Sequence, residues 1–566
     1  MKRQTIFCLS FLFASAFCLQ AQYAGRTSTE KILAPVGDLG DVQLESVTIS
    51  PDGRHLAYVD YQPTDETKVA QDELSVALQK KIERETGKKV NASKVAGELA
   101  RDLTRGARQV VLDGAGQGFR GDVSATHLVF SRDGAHFAYA AGATNDQAFL
   151  DGAPIGSIYE SIQPAFTADG AKLLCAGRNG WGNTNKDAVL EFVVEVNGRK
   201  QKTYQLGGDF SELGVRQEDL AAPFNGNFLC GPKGGRYAYL ARNADDFFVV
   251  IDGQEEGPYD EVFNFKFSAD GKRFAYGATH GKQTFVVIDG QRQTGRGTYV
   301  RGSLVFSSDS QHVAYIRHVP GKPAHEFVVH DGVMSREGYP HIRALTFSPD
   351  GTQLAFVAKF PNDQECVVVR DQAKKKFPFI AEGPLFSPDG THVAYRAEWL
   401  ATARDIVMLD DNQVVVGQGG EKGLWFSPDS RRLASVETLD KQRYLVIDGQ
   451  RHPLKDEVAR FQFSPDSQHW GWTTQNGQLV VDGQTRAVDG YPKTFQFISG
   501  GKHWVYIVRK DMDNYVAVDG RLGRAYGRIL PVDAPKIHFD SPDKFHYLGI
   551  RAGTAYITDE SLDGGG

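Results

Sequence analysis

Seven histidines occupy one recurring place in this sequence. His55, His136, His312, His392, His469, His503 and His546 each stand three residues after the aspartate position of a repeated Pro-Asp-Gly type turn. Imidazoles repeated in register could ligate a transition metal or titrate as a pH sensor. Other copies put Lys172, Arg236, Arg273, Gln353 or Arg432 there. A zinc site needs three or four clustered ligands, and equivalent positions on neighbouring repeats are too far apart to supply them. The position reads as a polar start to a strand, and neither a metal nor a cofactor is expected.

A second set of residues suits recognition better than catalysis. The stretch "GRNGWGNTNKD", from Gly177 to Asp187, is rich in Gly and Asn around Trp181, with Asn183 beside it. A tryptophan on such a loop can stack on a sugar ring or anchor a peptide. "HVPGKPAH" carries His318 and His325, and "EWLATARD" carries Trp399 and Arg404. These six are the candidate binding residues. No catalytic residue stands out. With 70 acidic residues, carboxylate pairs arise by chance. The sequence contains no G-x-S-x-G, P-loop, dinucleotide fingerprint, H-E-x-x-H or EF-hand loop.

The elements that must hold these residues are legible as a repeat. "FSPDGTHVAY" begins at Phe386, with near copies at Phe347 and Phe426. Aligned anchors run Ile49, Phe130, Phe166, Leu229, Phe267, Phe306, Phe347, Phe386, Phe426, Phe463, Phe497 and Phe539, with steps of 34 to 42 residues from Phe267 onward. A second signature keeps pace, as in "VVIDG" ending at Gly253 and Gly290, "VVHDG" at Gly332 and "LVIDG" at Gly449. Within a unit, "VFNFKFS", "KRFAYGA" and "QTFVVID" alternate or are β-branched, and a weaker fourth strand follows. Twelve units of four strands at this period predict an all-β fold of propeller blades. In the turns, Pro388, Asp389 and Gly390 have backbone reasons to be where they are. Ser310, Ser430 and Ser467 replace the glycine with some strain.

The "FSPDG" and "LAY" or "LAF" motifs resemble the TolB-type, WD-repeat-like propeller family and the propellers of prolyl-oligopeptidase-like peptidases. The resemblance covers nearly all of the chain after residue 21. It implies a propeller, and it says little about activity because propellers host many. Two departures narrow it. Blades begin near Val42, leaving no room for the small N-terminal α/β domain of TolB. The hydrolase domain of the peptidases is not matched.

Since twelve blades exceed the usual four to eight per ring, two propellers are expected, 22–341 and 342–566, with a split near 302 as the alternative. The meander places a–b and c–d turns on one face and b–c and d–a loops on the other. The uniform turns make the first face monotonous, so function is expected on the second. A b–c insertion at 64–106 carries helical spacing and predicts a helical hairpin. The last blade lacks a fourth strand, which "TEKILAPVGDL" near the N-terminus can supply.

The opening residues have a basic n-region, Lys2 and Arg3, and an apolar stretch from Ile6 to Leu19. This predicts a signal peptide at 1–21, hence a periplasmic or extracellular protein. Its loss moves the net charge from −6 to −8, a poor balance for nucleic acid. No later segment is apolar enough to span a membrane. Cys175, Cys230 and Cys366 have no C-x-x-C spacing and read as free thiols. The favoured function is an exported non-catalytic scaffold that binds a protein or envelope component through the b–c face. The alternatives are a carbohydrate- or peptide-binding module and a propeller lyase or hydrolase with a channel-mouth site.

Overall fold

The computed structural model describes residues 19–23, 26–35, 47–62, 76, 107–121, 128–142, 145–179, 190–206, 228–243, 246–321, 325–399, 404–418, 423–474, 477–531 and 536–562. They form twelve antiparallel sheets, each a four-stranded blade at its core, in a propeller arrangement. The fifth blade shows the pattern: Glu261–Phe267, Phe274–His280, Gln283–Ile288 and Gln291–Arg292, paired in chain order as strands a to d. In the sixth and eleventh blades strand a is interrupted, at Thr298–Tyr299 and Val305–Phe306, and at Tyr491–Pro492 and Gln496–Ile498. The expected helical hairpin at 64–106 falls outside the described residues, apart from Val76; the third strand of the first blade, Ala107–Leu112, follows it.

Two local devices explain why the sequence repeats. At the a–b turn a serine or threonine hydroxyl bonds the turn aspartate, as Ser387 does Asp389 at 2.5 Å and Ser131 does Asp133 at 2.6 Å. Gly390 then closes the turn at φ +74°. At the c–d turn both central residues have positive φ, +50° and +84° for Asp252 and Gly253. That is the type I′ geometry, which matches strand twist and favours Asp-Gly.

The serines that replace glycine have a further job. Ser310, Ser430 and Ser467 hold φ values of 63–68°. Their hydroxyls accept the backbone N–H of Asp270, Asp389 and Asp429 at 2.9–3.0 Å. Each bond stitches a blade to the one before it, which offsets the backbone strain.

Blades cannot bury their faces alone, and here eleven apolar clusters each join consecutive blades, the twelfth and first included. The seam of the fifth and sixth blades contains Ile288, Tyr299 and Tyr315. That of the sixth and seventh contains Ile316, Ile342 and Phe356. The expected domain divisions, near 302 and at 341/342, fall at these two filled seams. The seam of the eighth and ninth blades contains a buried arginine. Arg396, 1 % exposed, donates to the carbonyls of Val436 (2.9 Å) and Gly423 (3.4 Å).

The last blade is completed from the other end of the chain, as expected. Arg26–Pro35 pairs with Thr554–Leu562 from Arg26↔Leu562 to Pro35↔Thr554. A further strand, Leu19–Tyr23, adds outside it and spans the expected cleavage point after Ala21. Buried charge secures the closure. Arg26 binds the Glu560 carboxylate through two bonds of 2.8 and 2.7 Å, and Tyr547 donates to the same carboxylate. Glu30 accepts from Tyr526 at 2.5 Å and Arg551 at 2.8 Å. Burial, with help from Glu560 and Glu30, pushes the Tyr547 and Tyr526 hydroxyls above the ordinary phenol range.

Candidate functional site

The turn face is built from one repeated clamp. The aspartate of each Asp-Gly turn uses one oxygen to accept a backbone N–H at the start of strand b, as Asp331 does from Val313 at 2.9 Å. Its other oxygen takes the side chain at the recurring histidine place. His55–Asp113, His136–Asp151, His312–Asp331, His392–Asp410, His469–Asp482 and His503–Asp519 lie at 2.5–2.9 Å. Arg236–Asp252, Arg273–Asp289 and Arg432–Asp448 do the same at 2.6–2.8 Å. Interchange of His with Arg is thus a choice of hydrogen-bond donor within a blade. The arginines reach further, and Arg273 and Arg432 also donate to carbonyls of the next blade, Gln311 and Ser467. His546 departs from the pattern, pairing with Asp540 at 2.8 Å and with the Asp52 carbonyl at 2.6 Å.

On the opposite face the hairpins bring the expected residues together in pairs. His318 lies near the end of strand b of the sixth blade, Val313–Val319, and His325 begins strand c, His325–His330. Both are half-buried, and Val319 pairs with His325. In the eighth blade Trp399 ends strand b, Val393–Trp399, and pairs with Arg404, which is exposed. The Trp399 side chain, Trp181 and Asn183 fall outside the described residues.

Residues not singled out from sequence join this face. Phe379, 38 % exposed, begins strand a of the eighth blade opposite Glu398, and the Arg343 guanidinium lies 5.3 Å from its ring. Arg343 is held by Glu365 and the Ile380 carbonyl, both at 2.6 Å. Tyr491 (47 % exposed) starts the eleventh blade, and Met512 (78 %) caps its b–c turn. Their signal in sequence is slight: an apolar residue at a loop edge, outside the alternation.

A cavity of about 560 Å³ lies at the a–b end of four inner strands, from the fifth to the eighth blade. Four repeat anchors line it, Phe267, Phe306, Phe347 and Phe386, with Leu345 and Lys266. Lys266 is open to the cavity yet surrounded by protein, which holds its ammonium below the ordinary lysine pKa. Its Nζ donates to the Leu304 carbonyl at 2.7 Å. Such a lysine can take a carboxylate or phosphate. The repeat obscured this site, because the phenylalanines read as blade anchors. Lys266 was the available signal: the other residues preceding an anchor, such as Val305, Thr346 and Leu385, are uncharged.

Neither a family model nor a curated protein matches the chain. Among solved structures it is similar to a eukaryotic initiation factor at 13 % identity, covering 70 % of this chain and 89 % of that one, with a TM-score of 0.32. It is also similar to TolB from Acinetobacter baumannii (15 % identity, 51 % and 81 % covered, TM-score 0.22). A third is the β-propeller domain of the Trilobed protease from Pyrococcus furiosus (12 % identity, 48 % and 97 % covered, TM-score 0.25). The propeller fold of this chain stands on its own twelve blade-forming sheets.

Proposed function

We propose that this chain is an exported, non-catalytic β-propeller scaffold that binds a protein or cell-envelope component through its b–c face. The carrying observation is the asymmetry of the two faces. On the turn face, polar side chains are consumed by the Asp clamp, blade after blade. On the b–c face Phe379 stands exposed against Arg343 with Arg404 in the same blade, and Tyr491 and Met512 stand exposed in the eleventh blade. Aromatic residues, Met and Arg are the types enriched where proteins meet. Export rests on the N-terminal residues. Cleavage after Ala21 would shorten the outermost strand and leave Arg26–Pro35 whole.

The test is capture from a cell-envelope extract on immobilised protein. Wild type is compared with F379A/W399A/R404A, and with H136A/H392A on the turn face as control. Loss of a captured component in the first variant only is expected. Equal capture by all three would overturn the placement. The cavity beside Lys266 favours a second reading, a module for a small apolar ligand with an anionic end. K266M would abolish such binding in a panel of carboxylate ligands and leave envelope capture unchanged.

A further inference from the structure

One blade carries more at the clamp than the fold needs. In the sixth blade the residue before the clamp aspartate is His330, where other blades place Leu112, Leu150, Ile251, Ile288 or Ile447. His312 makes the usual clamp bond to Asp331 at 2.6 Å. His330 adds a second imidazole, with Nε2 3.6 Å from the same Asp331 oxygen and its ring centroid 5.5 Å from that of His312. The ligand atoms of all three lie within 4.8 Å of one another. The His330 Nε2 atom is buried and makes no hydrogen bond. An imidazole nitrogen kept from water without a partner is costly unless something else fills the place.

We propose that His312, His330 and Asp331 form a binding site for a divalent transition metal of the zinc class. Two imidazoles and one carboxylate suit zinc, cobalt or nickel; calcium and magnesium prefer all-oxygen sets. Three protein ligands leave a fourth position to water or to a ligand atom. The site is held before any metal arrives: the other oxygen of Asp331 is fixed by the Val313 N–H at 2.9 Å, and Asp331 sits at φ +47° in its turn. Phe347 backs both rings, at 5.4 Å from His330 and 6.4 Å from His312. The three side chains remain 36–42 % exposed as a whole. Distance between blades is no obstacle, because all three ligands come from one. Phe347 also lines the cavity beside Lys266, so the metal would sit behind one of its walls.

The second histidine–carboxylate cluster, Asp540, His546 and Asp559, does not qualify. Both nitrogens of His546 are used, and Arg54 pairs with Asp540 and Asp559.

The repeat itself supplies variants that should fold. H330V restores an apolar residue of the kind other blades use, and H312R installs the arginine that clamps Asp252, Asp289 and Asp448. Zinc chloride is titrated calorimetrically into the full chain, and cobalt binding is followed by its visible absorption. Wild type should bind one equivalent that each variant loses, with affinity falling at least ~10-fold, while melting temperatures without metal stay the same. Zinc titrations of wild type and H312R that superimpose would overturn the proposal, as would cobalt spectra with no tetrahedral band. H312R decides the outcome even if H330V fails to fold.

Discussion

Replacing Arg26 by alanine should weaken the closure of the propeller by an amount the structure sets. The Glu560 carboxylate is 2 % exposed and, among the described residues, would keep the Ser28 and Tyr547 hydroxyls as its side-chain donors. Removing one partner of a buried ion pair costs about 3–5 kcal/mol. Unfolding entropy of roughly 2.1 cal/mol/K per residue over the ~430 described residues gives ~0.9 kcal/mol per degree for cooperative unfolding. R26A should therefore melt about 3–5 °C below wild type in calorimetry. R26M/E560M, which removes both charges and keeps volume, should regain at least half of that. An R26A melt within about 1 °C of wild type would refute the reasoning. So would a double variant that loses the sum of the single losses, since the two charges would then not be coupled.

The serine stitches predict an ordering: S430A loses the acceptor for the Asp389 N–H and keeps a side chain at φ +65°. It should cost ~1 kcal/mol in urea unfolding, and S430G should lie nearer wild type because glycine relieves the strain. Acid should act through the turn aspartates. Hydrogen bonds from Ser348, Ser387 and Ser427 hold Asp350, Asp389 and Asp429 below the usual carboxylate range. Their folded pKa is depressed, so their stabilisation is complete above the unfolded value of ~3.9 and is lost as pH falls through the folded values. The melting temperature should drop below about pH 4, and less steeply in D350N/D389N/D429N; superimposable profiles would exclude the turns as the cause. Expressing 22–341 and 342–566 separately cuts the seam holding Ile316, Ile342 and Phe356. Neither half is expected to fold, and two folded halves would establish two propellers.

What the sequence showed and what it concealed follow from the range of the interactions. Pro388-Asp389-Gly390 and the Asp-Gly turns are legible because their chemistry is local to a few residues of backbone. The missing fourth strand of the last blade was legible by counting, and Arg26–Pro35 fills it. Ser430 read only as a strained turn, because its bond to Asp389 crosses 41 residues of sequence. The histidine place read correctly as polar, but its partner at the far turn was not foreseen. His330 is visible in "VVHDG", which reads as one more regular copy of the Asp-Gly turn signature. The cavity beside Lys266 depends on four blades meeting, which no single repeat encodes. Of the six expected binding residues, His318, His325 and Arg404 can be placed at b–c ends, with the backbone of Trp399.

The closing strand also orders events in time. Arg26 and Glu560 stand 534 residues apart in the chain. At ~5–20 residues per second, Arg26–Pro35 waits roughly half a minute or more after synthesis before Thr554–Leu562 exists to receive it. Until then the strand can pair with other chains through its unmatched backbone. When it docks, it joins the contacts of greatest sequence separation, which form slowest. Premature capture of this one segment is therefore the point at which folding of the chain is most easily diverted, and a peptide copying residues 26–35 should act as a competitor for the last blade.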